Sequence, residues 1–398
     1  MKIALLAPSD AYLLNFRGPL AAALAEAGHE VLLISPAGPY VKELLSRGLR
    51  WLPAPMGRSS INPFRELWLL FWLYRLFRRE RVELAHGFII KGALYGALAA
   101  RMAGVSARVG SITGMGYLFL SQRLLARSLR VVVRVLSRLA FAGSGCRVIL
   151  QNRDDLALFR EEGLAPAANL VMIPGSGVDC RRFSPVAVSC DSVVVDHSAS
   201  TGRSRFRVLL PARLLWHKGL EEYKEAARIL RDQGRAVDFL LAGEPDPSNP
   251  SSIPESTIKD WMHAGLVHWL GYVQDMPALL HTVDVVVLPS YREGLPKVLV
   301  EGAGCGLPLI TTDVPGCREV VTDGVEGLLV PVGDAAALAD AIARLQDDPE
   351  ARVEMGRRAR AKAVAEFEEG IIISRIFAVY EELLPGFDAG AYVRPRPV

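Results

Sequence analysis

Two doubly wound α/β domains, each built on a parallel sheet, are the fold this sequence predicts, and three observations predict it. Short apolar runs alternate with helical periods along almost the whole chain, the order that lays helices on both faces of a parallel sheet. At 398 residues the chain is long enough for two domains of about 150–200 residues each. Residues 1–35 read strand, loop, helix, strand, a Rossmann-like opening that places function at the carboxyl end of the first strand. The expected boundaries are a first domain over 1–180, a linker or insertion over 181–206 that is polar and Ser-rich from 186, and a second domain over 207–371. A last helix at about 372–386 can pack back on the first domain.

Composition narrows the class. Apolar residues make up 51% and charged residues 22%, ordinary for a well-cored globular protein, and the net charge of +3 says less than its distribution. Cys146, Cys180, Cys190, Cys305 and Cys317 form no CxxC pair and no metal spacing, which suits a reducing compartment and argues against a disulfide scaffold. The opening strand Lys2–Ala7 is cut by Pro8-Ser9-Asp10, too soon for a secretory signal. No uninterrupted apolar run approaches the ~20 residues that span a bilayer. A cytoplasmic protein, attached peripherally to the inner face of the plasma membrane, is the expectation.

In the first domain, the loop Asp10 to Gly18 leaves strand one. It lacks GxGxxG, so the dinucleotide fingerprint is absent; Gly18 permits close approach of a phosphate and Arg17 supplies a cation, or the pair is a turn glycine and a solvated arginine. Asn62 to Arg81 reads as a helix in which Trp68, Phe71, Trp72, Tyr74 and Phe77 adjoin Arg75, Arg78, Arg79 and Arg81, a composition typical of an oil–water interface as well as of a core. Val82 to His86 is a short strand ending at His86, which is either structural or faces a cleft, with Lys91 just beyond. From Leu84 to Arg153 there is no Asp or Glu, against Lys91 and nine arginines. Arg123, Arg127, Arg130, Arg134 and Arg138 recur at helical spacing among Val and Leu, a basic amphipathic helix. With no nucleic-acid motif elsewhere, an anionic membrane surface is favoured over nucleic acid or plain solvent.

The second domain opens with a strand at Phe206–Leu210. Its exit, Ala212 to Gly219, carries two cations, Arg213 and Lys218, five residues apart. The apolar run Val283–Pro289 reads as a buried parallel strand. It leads into Tyr291-Arg292-Glu293-Gly294-Leu295-Pro296-Lys297-Val298-Leu299-Val300-Glu301, where Pro296 suits the first turn of a helix. A strand, a Gly-containing loop and a helix N-terminus aim N–H groups and a positive dipole end at one point, where a phosphate can sit. Glu293 and Glu301 are then spaced by about two helical turns of ~3.6 residues. Carboxylates beside such a pocket are acceptors for sugar and ribose hydroxyls.

The ordered set Arg213…Lys218, Gly243-Glu244, Glu293-x7-Glu301 and the turn region Val314-Pro315-Gly316…Glu319…Gly324…Gly327 resembles the GT4 glycosyltransferases of GT-B fold, over nearly the whole chain. Asn15-Phe16-Arg17, His86…Lys91…Tyr95-Gly96, Thr113-Gly114-Met115-Gly116-Tyr117 and Asn249 to Ile253 are similar to the subgroup that builds lipid-linked oligosaccharides, whose best-known members add N-acetylgalactosamine to a bacillosamine on undecaprenyl diphosphate. The resemblance implies two Rossmann-like domains facing a cleft and retaining, metal-independent transfer of a hexose. The donor is a nucleotide sugar, UDP-linked in preference to GDP-linked, and no cofactor is required. It implies that Arg213 and Lys218 hold the diphosphate, Glu301 the ribose and Glu293 the donor sugar. Gly18, Gly294, Leu295, Pro296 and Val298 line the phosphate site, and Asn15, Arg17, His86, Lys91 and Thr113 meet a polyprenyl-diphosphate-linked acceptor. One departure stands out: many members carry a His after the strand that here ends at Ser111-Ile112-Thr113, and this chain has none there. Two alternatives remain, a soluble acceptor and a membrane-attached sensor that binds the nucleotide sugar without turnover.

Overall fold

The computed structural model describes residues 1–57, 62–114, 124–185, 205–247 and 249–390, with backbone alone for 124–129. The linker expected at 181–206 therefore lies mostly outside the described residues, as do Met115, Gly116, Tyr117 and Arg123. The chain divides into two compact units, Met1–Ser176 together with the stretch from Glu369, and Gly177–Glu368.

The first unit carries β1 (Lys2–Leu6), β2 (Glu30–Ser35), β3 (Arg50–Pro53), β4 (Leu84–Phe88), β5 (Ala107–Ile112), β6 (Cys146–Leu150) and β7 (Leu170–Met172). They form one sheet in the order β3-β2-β1-β4-β5-β6-β7, every pairing parallel. The connections are α1 (Gly18–Glu26), α2 (Pro63–Glu80), α3 (Ile89–Ala103), α4 (Leu124–Ala140) and α5 (Arg153–Glu161). Central strand β1 is buried from Ile3 to Leu6, on both faces, which is why its sequence is a near-continuous apolar run rather than an alternating one. Before α1, Pro19 has no N–H to donate and crowds the carbonyl four residues earlier; the chain widens there into a π turn, Leu13–Arg17, at the carboxyl end of β1.

The second unit carries β8 (Phe206–Pro211), β9 (Val237–Ala242), β10 (His268–Gly271), β11 (Val285–Leu288), β12 (Leu309–Thr312) and β13 (Gly327–Val330) in the all-parallel order β10-β9-β8-β11-β12-β13. Among its helices are α6 (Leu220–Asp232), α7 (Lys297–Gly304), α8 (Ala335–Asp347) and α9 (Pro349–Lys362). The last described helix, α10 (Glu369–Leu383), returns to the first unit, where Ile372, Ile376, Phe377 and Tyr380 are buried with β1, β4 and β5 residues. In each sheet the strand order reverses once, between β1 and β4 and between β8 and β11; the loops at those carboxyl ends are where a doubly wound sheet presents ligands.

Candidate functional site

In the second unit the reversal point is built by loops that touch backbone to backbone. Lys218 ends a short 3-10 turn, Trp216–Lys218, that follows the exit of β8. Gly219 has φ of 76°, and a Cβ there would lie 2.0 Å from the Pro289 carbonyl oxygen, so only glycine lets this turn rest on the end of β11. The Tyr291 N–H and the Ser290 hydroxyl both donate to the His217 carbonyl, at 3.0 and 3.1 Å. Gly316 performs the same service from the β12 side: φ is 80°, and a Cβ would meet the Gly294 carbonyl oxygen at 2.4 Å. The result holds Lys218 Nζ 2.5 Å from Glu293 Oε1, with the two side chains 16% and 11% exposed. That burial sets the pair apart from surface ion pairs, which contribute little.

The other donor-side residues lie in the same unit. Arg213 does not join Lys218 and Glu293; half-exposed, it donates from Nη1 to Asp246 Oδ2 at 2.9 Å. Glu293 lies in the loop, Pro296 is the N-cap rather than a first-turn residue, and Glu301 is one turn into α7. Leu295 and Val298 flank that helix start, which carries no side-chain cap and so presents its positive dipole end to the loop containing Gly294. Burial raises the pKa of the Glu301 carboxyl, opposed by Lys297, whose Nζ is 3.9 Å away, and by Arg182. Burial lowers the pKa of His217, with Lys218 adding to the effect, and its Nδ1 lies 3.0 Å from Ser251 Oγ. Burial, with Glu293 adding to it, pushes the Cys317 thiol up to about 12, so it is no nucleophile. Ser251 belongs to the Asn249–Ile253 stretch that carries the subgroup resemblance, whereas Asp246 was given no role from the sequence; the turn-rich composition of 243–253 is its one signal.

In the first unit, Arg17 is buried at the π turn. Its guanidinium lies 4.4 Å from the Phe88 ring centroid and Nη2 donates to the Tyr12 hydroxyl at 3.1 Å. Its Nε has no hydrogen-bond partner, and among the described residues no carboxylate pairs with it. Gly18 beside it is buried, Asn15 is exposed and Thr113 is partly buried at the exit of β5. Lys91 donates to Glu66 Oε1 and to the Gly57 carbonyl, both at 2.7 Å.

His86 corrects the expectation of an acceptor contact. β4 continues through Gly87 to the fully buried Phe88, so His86 sits inside the strand rather than at its end. Its Nδ1 is 2.5 Å from the Tyr380 hydroxyl on α10 and its Nε2 2.7 Å from Ser111 Oγ. Burial holds its pKa well below the usual imidazole value, with Arg17 adding to the effect, and burial raises that of Tyr380. The set is complete with a neutral imidazole, one ring nitrogen donating and the other accepting between the Tyr380 and Ser111 hydroxyls.

The basic helix also needs correction. In α4 the exposed positions include Val131, Val132, Val135 and Leu139, an apolar stripe at helical spacing. Arg134 pairs with Glu162, and Arg138 Nε donates to the Gly163 carbonyl at 2.8 Å. Arg130 is partly buried, and the side chains of Arg123 and Arg127 lie outside the described residues. Arginine and valine share one period, so the sequence shows the helix but not which face it turns outward. No helix among the described residues is long and apolar enough to cross a membrane, and none of their His, Cys, Asp and Glu side chains forms a group of three able to hold a metal.

Residues 2–146 match the family described as Glycosyl transferase 4-like, and residues 205–348 the family described as Glycosyl transferases group 1. The chain is a GT4-type glycosyltransferase. It is 28% identical over 96% of its length to the N,N'-diacetylbacillosaminyl-diphospho-undecaprenol alpha-1,3-N-acetylgalactosaminyltransferase of Campylobacter jejuni, covering 99% of that protein. It is 25% identical to the Escherichia coli UDP-Gal:alpha-D-GlcNAc-diphosphoundecaprenol alpha-1,3-galactosyltransferase, over 89% of each chain. Among solved structures, HepE from Anabaena, in complex with UDP, superposes with a TM-score of 0.75 at 21% identity over 96% of this chain and 100% of that one. Sucrose-phosphate synthase from Thermosynechococcus elongatus gives 0.76 at 22% identity over 97% and 100%. The two doubly wound domains of this glycosyltransferase are thus of the GT-B type.

Proposed function

We propose that this glycosyltransferase moves a sugar, N-acetylgalactosamine or a related hexose, from a UDP-sugar to a saccharide carried on polyprenyl diphosphate, with retention at the anomeric carbon. The observation that carries the reading is the Lys218–Glu293 pair at the β8/β11 reversal, in a chain that aligns end to end with a relative whose name specifies an undecaprenyl-diphosphate-linked acceptor. Lys218, with Arg213 turning from Asp246, meets the charge that grows on the leaving diphosphate; a fixed cation there stabilises the transition state more than the ground state. Glu293, released from Lys218, accepts from donor-sugar hydroxyls, and Glu301 from the ribose. As the C1–O bond to the β-phosphate breaks and the acceptor oxygen bonds to C1, the departing phosphate oxygen takes the acceptor proton on the same face. This chemistry uses no metal and no side-chain base, in keeping with a chain that has no His in Thr113-Gly114-Met115-Gly116-Tyr117, the stretch directly after β5. Arg17, a buried cation facing aromatic rings, suits an anionic oxygen of the substrate. The enzyme works peripherally at the cytoplasmic membrane face, with the apolar stripe of α4 towards the lipid.

The test is transfer from a panel of labelled UDP- and GDP-sugars to a membrane extract of the source cells. Label entering the lipid fraction with one UDP-sugar is the expected result. Nucleotide release with no lipid label overturns the lipid-linked acceptor, and binding without release overturns turnover itself.

A further inference from the structure

Helix α2 has two apolar faces. Leu69, Leu73, Leu76 and Phe77 are buried against the sheet. On the outer side stand Phe64, Leu67, Trp68 and Phe71, at spacings of three, one and three, with Phe64 81% and Phe71 still 45% exposed. Large apolar side chains at helical period on the outside of a folded domain mark a surface that meets something. Between this face and the end of edge strand β3 runs a groove of about 580 Å³, lined by Leu52, Trp68, Phe71, Trp72, Arg75 and Arg79. That volume is within the range of small-molecule sites, and its walls are aromatic with guanidinium groups at one end.

The charges identify the occupant. α2 contains two acids, and both are turned inward and neutralised: Glu66 holds Lys91, and Glu80 holds Arg50, Lys2 and one nitrogen of Arg79. Its exposed charges are cationic, namely Arg65, Arg75, Arg78 and Arg79. A face that combines Trp and Phe with arginine and exposes no acid is complementary to a leaflet whose interior is apolar and whose surface is negative. A protein partner of matching apolar character would leave Arg65, Arg75 and Arg78 without counter-charges. We infer that this outer face of α2, with the groove beside it, docks on anionic phospholipid: the aromatic side chains enter the acyl boundary, an acyl chain lies in the groove, and Arg75 and Arg79 hold lipid phosphates. The inference deepens the membrane part of the proposed function but does not depend on which sugar is moved. It assigns lipid contact to a helix distinct from α4.

The experiment is co-sedimentation with vesicles of phosphatidylcholine alone and of phosphatidylcholine mixed with phosphatidylglycerol. It compares the full chain, the triple variant Phe64→Ser/Trp68→Ser/Phe71→Ser and the double variant Arg75→Gln/Arg79→Gln. Transfer to a detergent-dispersed acceptor is measured alongside. The triple variant should lose about tenfold or more in partitioning to both vesicles, and the arginine variant should lose chiefly the preference for the anionic ones. Transfer in detergent should be unchanged for both. Wild-type partitioning of a folded triple variant overturns the inference, as does a wild-type chain that is dimeric through this face and monomeric in the variant. If the triple variant does not fold, the arginine variant decides: an unaltered preference for anionic vesicles overturns the proposal. Vesicle binding as described in a chain that transfers no sugar would sink the transfer reading and leave this one standing.

Discussion

Replacing Lys218 by alanine separates the two tasks that its ammonium performs. In the structure it neutralises Glu293 at 2.5 Å, with both side chains largely out of solvent. A fully buried pair broken on one side loses ~3–5 kcal/mol and an exposed one ~0–1 kcal/mol; this pair lies between, so Lys218→Ala should lower stability by about 1–3 kcal/mol. The loss comes from stranding the Glu293 carboxylate, so the double variant with Glu293→Ala should recover part of it. Turnover behaves differently. Without a fixed cation for the leaving diphosphate, the rate should fall by about 10²–10³, and removing Glu293 as well cannot restore it. Urea melts of the four proteins give the first quantity, and initial rates of UDP release at saturating donor and acceptor give the second. A Lys218→Ala enzyme turning over within about twofold of wild type would refute the diphosphate role. A stability coupling below about 0.3–0.5 kcal/mol would refute the reading of the pair as an interacting unit.

Four further outcomes are expected. His86 stays neutral in the folded protein, whereas the unfolded imidazole protonates near ~6.5; the unfolded state then binds more protons, and stability should fall below that pH by up to about 1.4 kcal/mol per unit. Melting temperatures measured across that range should show the slope, and His86→Gln should flatten it. Because burial raises the pKa of the Glu301 carboxyl, it takes up its proton at higher pH than a solvated carboxylate, so UDP affinity should decline on the acid side; titration calorimetry of Glu301→Gln should show weaker binding with that limb gone. Gly316→Ala forces a Cβ into the Gly294 carbonyl at positive φ and should cost about 1–3 kcal/mol of stability with reduced donor binding; a wild-type melt and affinity would contradict the backbone contact. Exhaustive chelation should leave the transfer rate unchanged, and a rate restored only by added divalent ion would overturn the metal-free chemistry.

The sheets were the most legible part of the sequence. Strands such as Val285–Leu288 and Leu309–Thr312 are apolar on both faces because helices cover both, and no other local structure explains such short runs between turn residues. Lys218 and Glu293 were legible as a pair of motifs because each is anchored to a glycine that lets its loop meet the next. What the sequence did not show was the partner that a distant part of the chain supplies. Arg213 turns to Asp246, 33 residues on, and nothing in the spacing announces it. His86 is committed to the core by Tyr380, 294 residues away. In α4 the period was plain but the outward face was not, since Glu162 and Gly163, on a separate turn, draw Arg134 and Arg138 towards themselves.

The return of α10 to the first unit has a consequence for how the protein is made. The second unit is one continuous segment, Gly177–Glu368, and its sheet can close as soon as it leaves the ribosome. The first unit, although synthesised earlier, lacks Ile372, Ile376, Phe377 and Tyr380 until the whole of the second unit has been made. At ~5–20 residues per second, the wait is on the order of 10–40 s. Through that interval the imidazole of His86 has no hydroxyl on one side, and the apolar surface of the central strands stands uncovered. The older half of the chain is therefore the last to be finished, and the half a chaperone would need to shield.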